Sequence, residues 1–128
     1  MLLLDTNVII WWMSGDKRLG MNTKQILKSD SELMINLINL FEIELKLRTN
    51  KLKLPGLVSE FLEQFDIQVY YPTARELSIM MGVDINHTDP FDCALLGLGR
   101  MRNWDILTSD DVLLKLKNQP IKIMDSKR

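Results

Sequence analysis

Histidine and cysteine are nearly missing from this chain: His87 and Cys93 are the only ones among 128 residues. With one histidine, no serine or cysteine nucleophile has an imidazole base unless His87 supplies it, and Cys93 lies six residues on inside a presumed helix. Zinc is disfavoured for the same reason, since one thiolate and one imidazole fall short of its usual ligand set. A lone cysteine in an apolar run forms no intrachain disulfide and no exposed reactive thiol, which fits a reducing cytoplasm. His87 itself reads as a loop residue. Long apolar runs are absent too. No segment approaches a membrane span, and Met1-Leu-Leu-Leu-Asp5 meets an acid after four residues with no basic stretch, so neither a membrane anchor nor a signal peptide is expected. Glycine-rich phosphate loops are also missing; Gly97-Leu-Gly99 falls within a predicted helix, where it signals close packing, and nucleotide cofactors are not indicated.

What is present is an ordinary globular balance, 46% hydrophobic and 26% charged, enough for one domain over residues 1–128 to bury a core without disulfides. The net charge of −1 argues at first against a phosphate-binding surface. Withdrawing Asp5, Glu42, Asp92 and Asp110 into a metal site, however, leaves thirteen acids against sixteen basic residues. Lys46, Arg48, Lys51 and Lys53, or Arg100 and Arg102, could then contact phosphates, although solvated helix faces are the favoured explanation.

Strand and helix signals alternate along the chain. Leu2–Leu4 reads as a buried strand and Asn7–Met13 as the helix after it; Thr23–Ser29 is helical, Glu32–Asn36 a strand. A helix opens at Asn39, with Asn39 as N-cap and Glu42 three residues later in the capping-box position, and Leu54-Pro55-Gly56 ends that element. Leu57–Phe65 has helical spacing, Ile67–Tyr71 is a strand, and Thr73–Met81 is helical with Met80 and Met81 as core fillers. Asp89-Pro90 marks a helix start that runs to about Arg102. Ile106–Thr108 is a strand, Asp111–Leu116 a short helix and Ile121–Met124 a last strand. This alternation predicts an α/β fold with a central, mostly parallel sheet flanked by helices.

Five carboxylates fall at the ends of the apolar runs: Asp5, Glu42, Asp89, Asp92 and Asp110. In an open parallel sheet, groups just beyond the carboxyl ends of strands share one rim, so Asp5 and Asp110 meet despite their separation in sequence. Clustered acids repel by about 1 kcal/mol per pair in water at ~4 Å and by more in a shielded cleft, so they gather around a cation or by protonation. An all-carboxylate set suits Mg²⁺ or Mn²⁺. Each acid also has a bland reading. Asp5 could simply cap its helix, Glu42 could serve the capping box, and Asp110 competes with Asp111 for the N-cap of the last short helix. Of the pair at the Asp-Pro-Phe-Asp helix start, Asp89 is favoured as cap and Asp92 as ligand. Thr6, Asn7 and Thr108 could orient a metal-bound water or phosphate oxygen, or merely form turns. Glu44 should point into solvent. Trp11, Trp12, Leu52 and Leu54 read as core.

Four segments in order resemble the PIN-domain ribonucleases, in particular the VapC toxins of bacterial toxin-antitoxin pairs. They are Leu2-Leu-Leu-Asp-Thr-Asn-Val-Ile-Ile-Trp-Trp, Phe41-Glu-Ile-Glu-Leu-Lys with Lys51-Leu-Lys-Leu-Pro, His87-Thr-Asp-Pro-Phe-Asp, and Ile106-Leu-Thr-Ser-Asp. The resemblance implies a three-layer PIN-like fold and a metal-dependent endoribonuclease acting with Mg²⁺ or Mn²⁺. It also implies a VapB-like antitoxin that blocks the site, a homodimer, and no membrane association. Carried over by position, Asp5, Glu42, Asp92 and Asp110 match the family's acidic quartet, with Asp5, Asp92 and Asp110 as direct metal ligands; Asp89, Thr6, Asn7 and Thr108 stand as supporting residues. Two stretches depart from the pattern: Cys93-Ala-Leu-Leu-Gly-Leu-Gly replaces an arginine and the apolar run that follow the third acid, and Asn36 and Asn39 replace the usual serines before Glu42.

Rival readings remain at this level. A PIN-like module that binds RNA or protein without cutting shares every fold signal. A phosphohydrolase with Asp5 as nucleophile would want an acid two residues on, where Asn7 stands, and a receiver-type domain would want an N-terminal acid pair. Which RNA is cut is not written in a linear motif.

Overall fold

The computed structural model describes residues 1–84 and 89–128. His87 therefore lies outside the described residues. Five strands, β1 (Leu2–Leu4), β2 (Leu33–Asn36), β3 (Ile67–Tyr70), β4 (Asp105–Thr108) and β5 (Ile123–Asp125), form one sheet in the order β3-β2-β1-β4-β5, and every pairing is parallel. Among the described residues, seven helices connect and cover them: α1 (Thr6–Ser14), α2 (Met21–Lys28), α3 (Leu37–Arg48), α4 (Val58–Gln64), α5 (Ala74–Met81), α6 (Pro90–Arg102) and α7 (Asp111–Leu114).

The period of two along a strand divides the core into two layers. Leu2 and Leu4 enter one cluster while Leu3, between them, enters the other; Leu33 and Ile35 part from Met34, and Leu107 from Ile106, in the same way. The first cluster is closed by Val8, Ile9 and Trp11 of α1, Ile43 of α3 and Val58 and Leu62 of α4, the second by Met80, Leu95, Leu96, Leu98 and Leu113 from α5, α6 and α7. The result is a three-layer α/β fold. Trp12, Leu52 and Leu54 pack against the first cluster, as expected of core residues. Gly97 is where α6 meets α5 most closely: a Cβ there would lie 2.3 Å from the Met80 carbonyl oxygen. Among the described residues, no helix is long and apolar enough to cross a membrane.

Several boundaries differ from the sequence expectation, each for a local reason. The helix expected to open at Asn39 begins at Leu37, because Asn36 ends β2 and caps α3 at once, its Oδ1 accepting from the Ile38 amide at 3.1 Å. Asn39 is thus inside the helix and fully buried, and Glu42 lies in the second turn, outside any capping box. That helix ends at Arg48, well before Leu54-Pro55-Gly56, with Thr49 as C-cap. A complete capping box occurs at Thr73 and Glu76 at the start of α5. Met81, expected as a core filler, is exposed, while Met80 is buried. The last strand runs from Ile123 rather than Ile121.

Candidate functional site

The strand order reverses direction between β1 and β4, which opens a crevice at the carboxyl ends of the central strands. Asp5 stands there. Its backbone amide donates to the Leu107 carbonyl at 3.0 Å, pinning it beside β4, while the same residue caps α1 by accepting from the Thr6 amide through Oδ1 at 2.6 Å. Oδ2 accepts from the Thr108 hydroxyl at 2.5 Å. The cap and the rim position are therefore one and the same residue, 5% exposed.

Burial pushes the Asp5 carboxyl up from 3.8 to about 6; the Thr108 and Thr6 hydrogen bonds oppose this, and the charges of Glu42 and Asp110 add to it. Two of the other predicted acids, Glu42 and Asp110, thus act electrostatically on Asp5. Glu42 reaches the rim from α3, where Oε1 accepts from the Thr6 hydroxyl at 2.5 Å and Oε2 lies 3.5 Å from the Lys46 ammonium one turn on. Asp110 caps α7, accepting from the Leu113 amide at 3.0 Å, and its own amide donates to Thr108 Oγ1 at 3.0 Å. The contest between Asp110 and Asp111 for that cap falls to Asp110.

Asp92 lies on the first turn of α6 and is buried, while Asp89 is the cap, its Oδ1 accepting from the Phe91 and Asp92 amides at 2.8 and 3.3 Å. The turns that carry Asp92 and Glu42 are joined by Asn39, whose Nδ2 donates to the Phe91 carbonyl at 3.1 Å. Asn7 donates to the Ser109 hydroxyl at 3.3 Å, tying α1 to the turn that carries Asp110. Glu44 is exposed, as its place on the helix required. Ser109 and the Glu42 partnership of Lys46 were not anticipated; the spacing of four between Glu42 and Lys46 was the available signal for the second. Cys93 is half-buried and its thiol is pushed up by burial and by the Asp92 and Asp89 charges, which makes it a poor nucleophile.

As placed, no three His, Cys, Asp or Glu side chains among the described residues form a group disposed to hold a metal ion. The donor chemistry nevertheless fits a hard cation. Asp5, Glu42 and Asp110 offer oxygen alone, Asp5 is held buried against its ionisation preference, and a buried oxygen, Asn39 Oδ1, has no hydrogen-bond partner among the described residues.

The PIN domain family model matches residues 2–119. No curated protein matches the chain. Among solved structures, the crystal structure of VapBC2 from Rickettsia felis bound to a DNA fragment from their promoter is similar, with a TM-score of 0.62 over 97% of each chain at 15% identity. That likeness is one of fold.

Proposed function

The chain belongs to the PIN domain family, and from that premise we propose that it is an endoribonuclease dependent on Mg²⁺ or Mn²⁺, the VapC-type toxin of a toxin-antitoxin pair. The observation that carries this reading is Asp5: a buried carboxylate at the reversal of strand order, under the fields of Glu42 and Asp110. An acid so placed is costly unless a cation shares the site.

Asp5, Asp92 and Asp110 would hold the ion, with Glu42 as a further ligand or acting through a water. When bound, such an ion acidifies a water for in-line attack on a phosphodiester and stabilises charge on the leaving oxygen, leaving a 5′-phosphate. The protein's own residues supply the geometry. Thr6 and Thr108 hold Glu42 and Asp5 in single orientations, Asp89 fixes the turn that presents Asp92, and Asn7 steadies the Asp110 turn through Ser109. Lys46 offsets the Glu42 charge and offers a cation for an RNA phosphate.

A VapB-like antitoxin is the proposed partner, supported by the similar VapBC2 structure; a homodimer, a single domain over residues 1–128 and a cytoplasmic location complete the reading. The test is Asp5→Asn. It should abolish Mg²⁺-dependent RNA cleavage and growth inhibition with the circular dichroism spectrum unchanged; cleavage that persists and still needs Mg²⁺ would reject the assignment.

A further inference from the structure

Asn39 is fully buried, yet only half of its amide is used: Nδ2 donates to the Phe91 carbonyl at 3.1 Å, and Oδ1 has no partner among the described residues. A buried acceptor left unpaired costs about 1 to 3 kcal/mol, so a chain that keeps one calls for an explanation. A structural tie alone does not supply it. The Phe91 bond uses the nitrogen, and an amide with a wasted oxygen is a poor filler beside the leucines and isoleucines of α3.

Position suggests the role. Asn39 lies one turn before Glu42 on α3, and 300° of rotation at 100° per residue puts the two within 60° on the same face. The carbonyl it grips belongs to Phe91, the residue before Asp92. The amide therefore sits between the turns carrying two of the four acids.

We propose that Asn39 is a positioning residue for the metal centre. Its nitrogen fixes the Asp92 turn against the Glu42 turn, and its oxygen accepts a hydrogen bond from water bound to the ion, orienting that water by contact outside the ion's direct ligands. This rests on the metal-dependent reading above. The choice of asparagine follows, because the residue must donate at one end and accept at the other.

The experiment is Mn²⁺ titration of the full chain, by calorimetry and by electron paramagnetic resonance, for wild type, Asn39→Leu and Asn39→Ala, with melting in EDTA measured alongside. Outer partners of metal ligands are worth on the order of 10- to 100-fold in affinity. Asn39→Leu should lose Mn²⁺ affinity by that factor while its melting temperature in EDTA changes little, since removal of the unpaired buried oxygen offsets loss of the bond to Phe91. A purely structural asparagine would give the reverse pattern, a lower melting temperature with unchanged affinity, and that result overturns the proposal. If the leucine variant does not fold, Asn39→Ala decides on the same criterion of affinity. Wild type that binds no Mn²⁺ would overturn the metal-dependent reading itself and this proposal with it; wild type that binds while both variants bind equally overturns this proposal alone.

Discussion

Replacing Asp5 by asparagine should stabilise the ion-free protein at neutral pH, and the amount can be worked from its surroundings. Its carboxyl is pushed from 3.8 to about 6, chiefly by burial. Each unit is worth 1.36 kcal/mol, so ionisation in the folded chain costs about 3 kcal/mol more than in the unfolded one. The folded state holds the proton more tightly, hence the contribution of Asp5 to stability is greatest below pH 4, falls as the pH rises from about 4 to 6, and stays low above that. Asparagine keeps Oδ1 for the Thr6 amide and turns Nδ2 toward Thr108 Oγ1, which can accept as well as donate. Weakening of those two bonds offsets about 1 kcal/mol. The net gain is about 2 kcal/mol at pH 7.5, or roughly 6 to 10 °C in melting temperature for a chain of this size. Urea unfolding in EDTA at pH 4 and pH 7.5 reads it directly: the variant should be more stable only at the higher pH. An equal loss at both pH values would refute the reasoning, because it would mean that Asp5 is a cap and nothing more. Adding Mg²⁺ should then stabilise wild type and leave the variant unmoved.

Thr108→Val removes the hydroxyl that donates to Asp5 and accepts from the Asp110 amide, the first of these bonds buried and the second partly so; a loss of about 1 to 3 kcal/mol in urea unfolding is expected, with cleavage reduced beyond what that loss explains. Gly97→Ala forces a methyl to 2.3 Å from the Met80 carbonyl oxygen, so α5 and α6 must part, and calorimetric melting should report a cost of about 1 to 3 kcal/mol. Thr73→Ala breaks the capping box of α5, which follows the edge strand β3 and carries none of the four acids, and should cost about 1 kcal/mol while leaving RNA cleavage at its wild-type rate in a turnover assay.

Much of the architecture was legible because burial on both faces of a parallel sheet leaves short apolar runs between helical ones. Leu2-Leu-Leu announced β1, and Asp89-Pro90 announced α6, since an acid at N-cap and a proline at N1 leave little else for the backbone to do. Asn36 was misread for a physical reason: a residue that ends a strand and caps the next helix leaves no loop between them to mark the boundary, so the second asparagine, Asn39, looked like the cap. Gathering the acids required topology that no local window contains. Asp5 and Asp110 share a rim only because β1 and β4 are neighbours in the sheet. The half-used amide of Asn39 was beyond the sequence altogether, because whether a buried oxygen has a partner depends on packing between α3 and α6.

Anomalous diffraction from crystals grown with Mn²⁺ addresses the central claim most directly. The account predicts a manganese peak at the carboxyl ends of β1 and β4, bound by oxygens of Asp5, Asp92 and Asp110. Manganese bound elsewhere, or at that rim without Asp5 as a ligand, would contradict it.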